Sequence, residues 1–274
     1  MKIGNRSILL GISFVFALLP LTAKDSNAQH IMGARYVSMG QTGVAMAESN
    51  WSAFNNAALM RTDKHHVSFY GFRYVGISEI TDMAAVVNYR SDSGTFGLGL
   101  HRYGFDLFNE NRLLLAYKNS AGKFHYGGSI SYFHVNQGGN YGSAGAVGIG
   151  LAIAAEVIDD VWFGARATNV NQPAYGNTDE ELPRELAAGF SYSLSDQALI
   201  TAELVKDVKF PISFRSGLEF EIVPLLFLRT GITTEPLTYA LGFGYAASLW
   251  EVNFGLQQHD PLGLSPALDL TLRF

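Results

Sequence analysis

The chain has no cysteine, and only 16% of its 274 residues are charged. Without cysteine, disulfide bonds cannot hold the fold, although an exported protein would be free to form them. The net charge is −5 and the basic residues are dispersed, so the sequence lacks the electrostatic footprint of a nucleic-acid-binding protein. After the N-terminal region no stretch reaches about 18 continuous apolar residues, which excludes helical membrane spans.

Hydrophobic residues nevertheless make up 48% of the chain, and aromatic residues make up 13%. These values are unusual for a secreted soluble protein of this size, but they suit a barrel with lipid outside and a polar lumen inside. The chain also contains 29 glycines, many of them within strand patterns. A small side chain at such positions would relieve crowding on a curved barrel wall.

The first 28 residues are typical of a secretory signal peptide. Lys2 and Arg6 form a basic region, and an apolar region runs from Ile8 to Leu19. The small-residue site Ser26-Asn27-Ala28 predicts cleavage before Gln29. No cysteine stands at this site, which argues against a lipid-anchored lipoprotein. The sequence therefore predicts export through a cleaved signal.

Residues 65–274 predict about fourteen short strands whose connections alternate strictly between short and long. Ser91–Gly94 and Val223–Pro224 are examples of the short connections, and Asn171–Pro183 is the longest of the others. This alternation of short and long connections is typical of barrels in an outer membrane, which have tight periplasmic turns and longer outer loops. The predicted fold is all-β, a transmembrane antiparallel up-and-down barrel of about 14 strands with a short, partly helical N-terminal plug. An even strand count places both termini in the periplasm.

Several strands alternate between apolar and polar residues. In the last strand the apolar row Leu268, Leu270 and Leu272 opposes a row that contains Asp269 and Arg273. A period of two indicates that one face meets lipid and the other meets the lumen. The charged residues assigned to the lumen are Glu203, Arg215, Glu219, Glu221, Arg229, Glu251, Asp269 and Arg273. Two interpretations remain open, a salt-bridge network that braces wall and plug or a selectivity lining.

The chain ends on the aromatic residue Phe274. A terminal aromatic after an alternating strand resembles the signal that barrel-assembly machinery recognises. The same residue would also close the barrel against the first strand, and the two roles are compatible.

Residues 29–64 do not follow the strand pattern. Their small residues and short apolar groups predict one or two helical turns joined by glycine bends. A fourteen-stranded barrel is too wide for its own side chains to fill, so this segment is the natural plug. If Arg35 meets one of the lumenal carboxylates, that contact would anchor the plug.

The same segment carries a recognisable motif. Its residues are Gly33, Ala34, Arg35, Met39, Gly40, Gly43, Val44, Ala45, Asn55 and Asn56. This pattern resembles the N-terminal signature of the PorV/PorQ group of outer-membrane proteins, within the wider FadL-like (long-chain fatty acid transporter) superfamily. Ala57 departs from the pattern, since the family usually has proline there. The outer loops are also short for the group.

The resemblance implies two functions. Members of the PorV/PorQ group are implicated in type IX secretion, so one expectation is a shuttle or partner-binding barrel for secretion-system or cargo proteins. The alternative is a FadL-like transporter for hydrophobic small molecules, in which the N-terminal segment is a hatch. An apolar pocket that opens through the wall would favour transport, whereas a sealed lumen with an apolar outer rim would favour partner binding. Outer-membrane lipid and barrel-assembly machinery are expected partners in both cases.

Histidine spacing predicts neither a metal site nor a bound cofactor. His65 and His66 are adjacent, so on a strand their side chains point to opposite faces. His101, His125 and His134 lie in three strand segments without ligand spacing.

An enzyme is not expected either. Ser131 and His134 lie in one strand, but their odd offset places them on opposite faces. The sequence contains no Gly-x-Ser-x-Gly nucleophile motif.

Overall fold

The computed structural model describes residues 31–274, apart from residues 48, 75–78, 139–141, 177–180 and 260–262. The predicted signal peptide and cleavage site lie outside the described residues. Within the described part of the chain, no helix is long and apolar enough to cross a membrane.

Fourteen antiparallel strands form one closed barrel, in which each strand pairs with its sequence neighbours and β1 pairs with β14. This confirms the predicted fold class. The strands are β1 His66–Arg73, β2 Thr81–Ser91, β3 Gly94–Phe105, β4 Phe108–Ala121, β5 Phe124–Gln137, β6 Gly142–Ile158, β7 Val161–Ala167, β8 Glu185–Ser195, β9 Ala198–Asp207, β10 Ser213–Val223, β11 Leu226–Thr234, β12 Leu237–Ala246, β13 Trp250–His259 and β14 Gly263–Arg273.

The alternation of connections is less strict than the sequence suggests. The connection between β3 and β4 consists of Asp106 and Leu107 alone, and Glu235 with Pro236 joins β11 to β12. Both lie at the end of the barrel away from the chain termini, which we call the outer end. Strand pairing continues to the edge of these two turns, with Phe105 opposite Phe108, so the predicted longer loops are absorbed into the sheet.

The two faces of the wall follow the predicted alternation. In β14 the side chains of Asp269 and Thr271 are buried, whereas Leu268 is 54% exposed on the outside. Near the termini, aromatic side chains pair on the outer surface, as in the stacked rings of His65 and Tyr89, 4.7 Å apart. Such belts are typical of membrane–water interfaces. The exterior is therefore suited to lipid.

Residues 31–47 and 49–60 lie inside the barrel and form the plug, and residues 61–64 link it to β1. It contains a short helix, α1 (Ala34–Ser38), and a 3₁₀ turn, Ala57–Leu59. Helix α1 contacts strands β11–β14, and the 3₁₀ turn contacts β4–β6 on the opposite side. The main buried cluster joins plug side chains such as Trp51 to inner-wall side chains such as Tyr70. A five-residue helix is not stable alone, so burial against the wall holds it.

Candidate functional site: the plug and the inner wall

An ion pair joins the helix of the plug to the wall. Arg35 donates from Nε to Glu219 Oε2 (2.8 Å) and from Nη2 to Glu219 Oε1 (2.6 Å). Arg229, on the neighbouring strand, donates from Nε to the same carboxylate at 2.5 Å. Glu219 is thus shared by two guanidinium groups in a buried position, where charge-assisted bonds of this geometry are strong.

A buried amide extends this arrangement across two more strands. Asn253 accepts a hydrogen bond from Arg229 Nη1 (2.8 Å) and donates to Glu251 (2.9 Å) and Asp269 (2.7 Å). The other oxygen of Asp269 accepts the backbone N–H of Ala34 at 2.7 Å. The first residue of α1 is therefore fixed by a carboxylate of β14.

Glu251 connects the base of the plug to the end of the barrel. It accepts a hydrogen bond from Asn50 Nδ2 (2.9 Å) and pairs with Arg273. Arg273 in turn donates to the backbone carbonyl of Ala247 at 2.8 Å. Strand β14, the turn between β12 and β13 and the plug are held together at this point.

A second anchor holds the bend after α1. Oε2 of Glu203 accepts the backbone N–H groups of Gly43 (2.8 Å) and Val44 (2.9 Å). Arg215 lies 3.7 Å from the other oxygen of Glu203 and donates to the carbonyl of Gln41 at 3.2 Å. These contacts satisfy backbone groups that a buried non-helical segment would otherwise leave unpaired.

The seven residues Glu203, Arg215, Glu219, Arg229, Glu251, Asp269 and Arg273 all face the lumen and contact the plug, one another or a neighbouring turn. Glu221 does not belong with them, because it lies beside the turn after β10 and accepts the N–H of Leu225 at 2.7 Å. The other seven are covered by the plug rather than arranged along an open path. Their geometry favours bracing over a selectivity lining.

The glycines of the plug motif occupy positions that larger residues would not fit. Gly33 (φ +112°) precedes α1, and a Cβ there would stand 2.7 Å from Trp51. Gly40 (φ +68°) follows α1, and its Cβ would stand 2.5 Å from the backbone nitrogen of Ile232. Gly43 packs equally closely on Tyr36. The motif therefore encodes a backbone that turns sharply while touching the wall.

The asparagines of the motif organise the 3₁₀ turn. Asn56 caps it by accepting the N–H of Ala58 (3.0 Å), and its amide donates to the carbonyl of Val44 at 2.6 Å. Asn55 contributes its backbone carbonyl to Arg166 Nη1 at 3.3 Å. Asn56 is extended (φ −128°, ψ 100°), the conformation that precedes a proline. The backbone before Ala57 would therefore also accept a proline at position 57.

The wall meets the plug through glycines. At each of them an added Cβ would collide with plug atoms, so the plug packs directly on the sheet. Relief of curvature was the expected reason for glycine in the strands, but at these positions the requirement is contact with the plug. They are Gly97, Gly99, Gly127, Gly164, Gly217, Gly231, Gly242 and Gly255.

Above the plug, one part of the inner wall at the outer end, on β5 and β6, is apolar. Phe133, Val135 and Ala146 form a separate buried cluster with Tyr175 and Leu182. The last two belong to the connection between β7 and β8, which folds inward over the barrel. From the sequence this connection is recognised only as the longest loop. Two apolar residues in a loop form no repeating pattern from which their burial could be predicted.

Arg112 lies at the boundary between this cluster and the plug. Its guanidinium carbon is 5.4 Å from the ring centre of Phe54 and 5.1 Å from that of Phe133. Nε donates to Ser131 Oγ at 3.0 Å. The sequence does not reveal the role of Arg112, because its partners lie on two segments, the plug and β5, that are distant from each other in the chain.

Among the described residues, the serine and histidines considered as catalytic or metal-binding candidates do not come together in one site. Ser131 faces inward and His134 outward, as predicted. His101 pairs with Asp82 at 2.8 Å. Within residues 31–274, less the gaps, no three His, Asp or Glu side chains are placed to hold a metal ion.

A groove of about 450 Å³ lies at the outer end, where β14 meets β1. It is lined by Phe72 and Ala267, which face inward, and by outward-facing residues that include Met83 and Leu268. Pairing between β1 and β14 stops at Phe72 and Ala267, although β14 continues to Gly263. The groove therefore marks the outer limit of the seam that closes the barrel.

The architecture matches solved structures closely. A channel titled "CymD monoaromatic hydrocarbon channel" superposes with a TM-score of 0.65 at 14% identity, covering 89% of this chain and 97% of that one. A TodX monoaromatic hydrocarbon channel mutant gives 0.71 at 10% identity, with 89% and 99% covered. A FadL homologue from Pseudomonas aeruginosa gives 0.59 at 10% identity, with 89% and 98% covered. No protein-family model and no curated protein sequence matches the chain.

The chain has the fold of the FadL-like barrels. This agrees with the predicted fold class.

Proposed function

We propose that this barrel transports hydrophobic small molecules across the outer membrane, with the plug as its gate. The observation that carries the proposal is an apolar patch above the plug on β5 and β6, where Phe133, Val135 and Ala146 lie under Tyr175 and Leu182. An apolar patch at the entrance favours molecules that gain free energy by leaving water.

The named neighbours support the same substrate class. Two of them, CymD and TodX, are monoaromatic hydrocarbon channels, and the solved structure of TodX from Pseudomonas putida is that of a toluene transporter. In this chain Arg35, Asp269 and Glu203 fix the plug to the wall, so we assign the lumenal charge network to holding a closed gate.

Accumulation of radiolabelled toluene by Gram-negative cells that produce the barrel tests the proposal, with maltose as the polar comparison. We expect toluene accumulation above that of cells without the barrel, and no change for maltose. Equal uptake of both solutes would indicate a general pore and contradict the proposal.

Two substitutions in the connection between β7 and β8, which covers the apolar patch, refine the test. Tyr175→Ala with Leu182→Ala uncovers the apolar inner surface while leaving the plug in place, so we expect toluene entry to rise severalfold with maltose still excluded. Leu107→Ala is the matched control, because Leu107 is 69% exposed at the same end of the barrel. If Tyr175 and Leu182 contribute only to stability, toluene will enter the double variant no faster than the wild type.

Partner binding in type IX secretion is the second candidate, and the plug motif around Arg35, Gly40 and Asn56 favours it. Mass spectrometry of the barrel, extracted in mild detergent from its own membrane, distinguishes the two. Stoichiometric secretion-machinery or cargo proteins would support docking, whereas a bound apolar molecule without a protein partner would support transport.

A further inference from the structure

Charges on the lipid-facing side of the barrel are few and of one sign. Across the described strands, the outward-facing residues with a full charge are Arg73, Arg102 and Lys206. All three lie toward the outer end. Lys206 donates to the carbonyl of Phe210, but neither arginine forms an ion pair with a described residue. Arg102 has only a 3.5 Å contact with Asn111 Oδ1.

Unpaired cations on a wall that faces lipid need a counter-charge. A cationic side chain on the lipid face of a barrel destabilises it, least near the interfaces. Anionic lipid headgroups lie at that depth, and they attract basic side chains. Arg73 and Arg102 are therefore in a position where a phosphate group would stabilise them.

The two arginines flank an apolar notch. Strand register places Phe254, Leu268, Gly71 and Met83 side by side across four strands, and Arg102 continues the row on β3. Gly71 interrupts the row because it has no side chain, and a Cβ built there would meet nothing within 4 Å. The resulting space belongs to the groove described above, which Arg73 also lines.

We propose that this groove binds one phosphorylated lipid of the outer leaflet, of the lipid A type. An acyl chain fills the notch over Gly71, and phosphate groups pair with Arg73 and Arg102. The arginines lie on β1 and β3, two strand spacings apart and offset by two residues along the strands, or roughly 12 Å, so they suit two separate anionic groups. The volume of about 450 Å³ is that of a specific ligand site.

Native mass spectrometry of the detergent-solubilised full barrel with added lipid A tests this proposal. We expect one lipid A molecule to remain bound to the wild type, and dephosphorylated lipid A to bind at least about tenfold more weakly. The double substitution Arg73→Gln with Arg102→Gln should weaken lipid A binding by a similar factor. Equal retention of the two lipids, or an unchanged double variant, would overturn the proposal.

The notch has its own test. Gly71→Phe fills open space and should reduce lipid A retention, whereas Gly128→Phe, on the outward face of β5 next to Gly127, should not. Heat-dependent mobility in gels establishes that each variant is folded. If Gly71→Phe fails to assemble, lipid A binding by the double arginine variant alone decides whether the proposal stands. Normal toluene uptake by the arginine variant would separate this site from the proposed transport.

Discussion

Replacing Arg35 with alanine is expected to release the plug and open an ion-conducting path through the barrel. Arg35 makes two short bonds to Glu219, and its loss leaves that buried carboxylate with Arg229 alone. Breaking a buried ion pair costs about 3–5 kcal/mol, and the remaining partner reduces the loss to the lower end of that range. A change of about 3 kcal/mol shifts the equilibrium between docked and released plug more than hundredfold. Single-channel recording in planar bilayers should therefore show frequent openings that the wild type lacks.

Arg61→Ala is the matched control for this change. Arg61 pairs with Asp63 at 2.7 Å on the segment that links plug and barrel, but the pair is solvent-exposed. Exposed pairs contribute about 0–1 kcal/mol, so this variant should conduct like the wild type. Unchanged conductance and unchanged protease resistance in Arg35→Ala would show that the ion pair does not hold the plug.

Replacing Gly127 with valine is expected to expel the 3₁₀ turn of the plug from the wall. A Cβ at Gly127 would lie 2.7 Å from the backbone nitrogen of Ala58 and 2.8 Å from the backbone carbon of Ala57. Both obstacles are backbone atoms, which cannot rotate away as a flexible side chain would. The turn must move, and limited proteolysis should then cut the plug near residues 57–59 while the barrel stays intact.

The neighbouring residue provides a control on the same strand. Gly128 faces outward, and its Cβ would lie 3.4 Å from the carbonyl oxygen of Gly150, an ordinary contact. Gly128→Val should leave the plug protected, because valine is well suited to a strand. Identical digestion patterns for the two variants would mean that the wall glycines do not determine plug docking.

Much of this architecture could be predicted because it depends on local alternation. The period of two in β13 and β14 assigns Glu251 and Asp269 to the lumen without any knowledge of tertiary structure. Their charge makes them candidate partners for Arg35 of the plug. The particular partner, Glu219, depends on strand register and on the tilt of α1, which the sequence does not specify.

Features that join distant segments could not be predicted in the same way. Gly127 and Gly217 look like ordinary strand glycines until the plug is placed against them. Tyr175 lies in a loop whose inward course follows from hydrogen bonds such as Gly176 N–H to the carbonyl of Gly145, 3.1 Å long. The groove over Gly71 needs the register of four strands at once. In each case the information is non-local.

A reversible cross-link between plug and wall tests most directly whether the plug acts as a movable gate. Thr42 on the plug and Thr201 on β9 have hydroxyl oxygens 2.7 Å apart, and the chain has no cysteine of its own. The pair Thr42→Cys with Thr201→Cys should abolish toluene uptake when oxidised and restore it on reduction. Ser68→Cys with Thr271→Cys, whose hydroxyls are 2.6 Å apart within the wall, should leave uptake unchanged in both states. Full uptake through the oxidised Thr42–Thr201 pair would contradict the account.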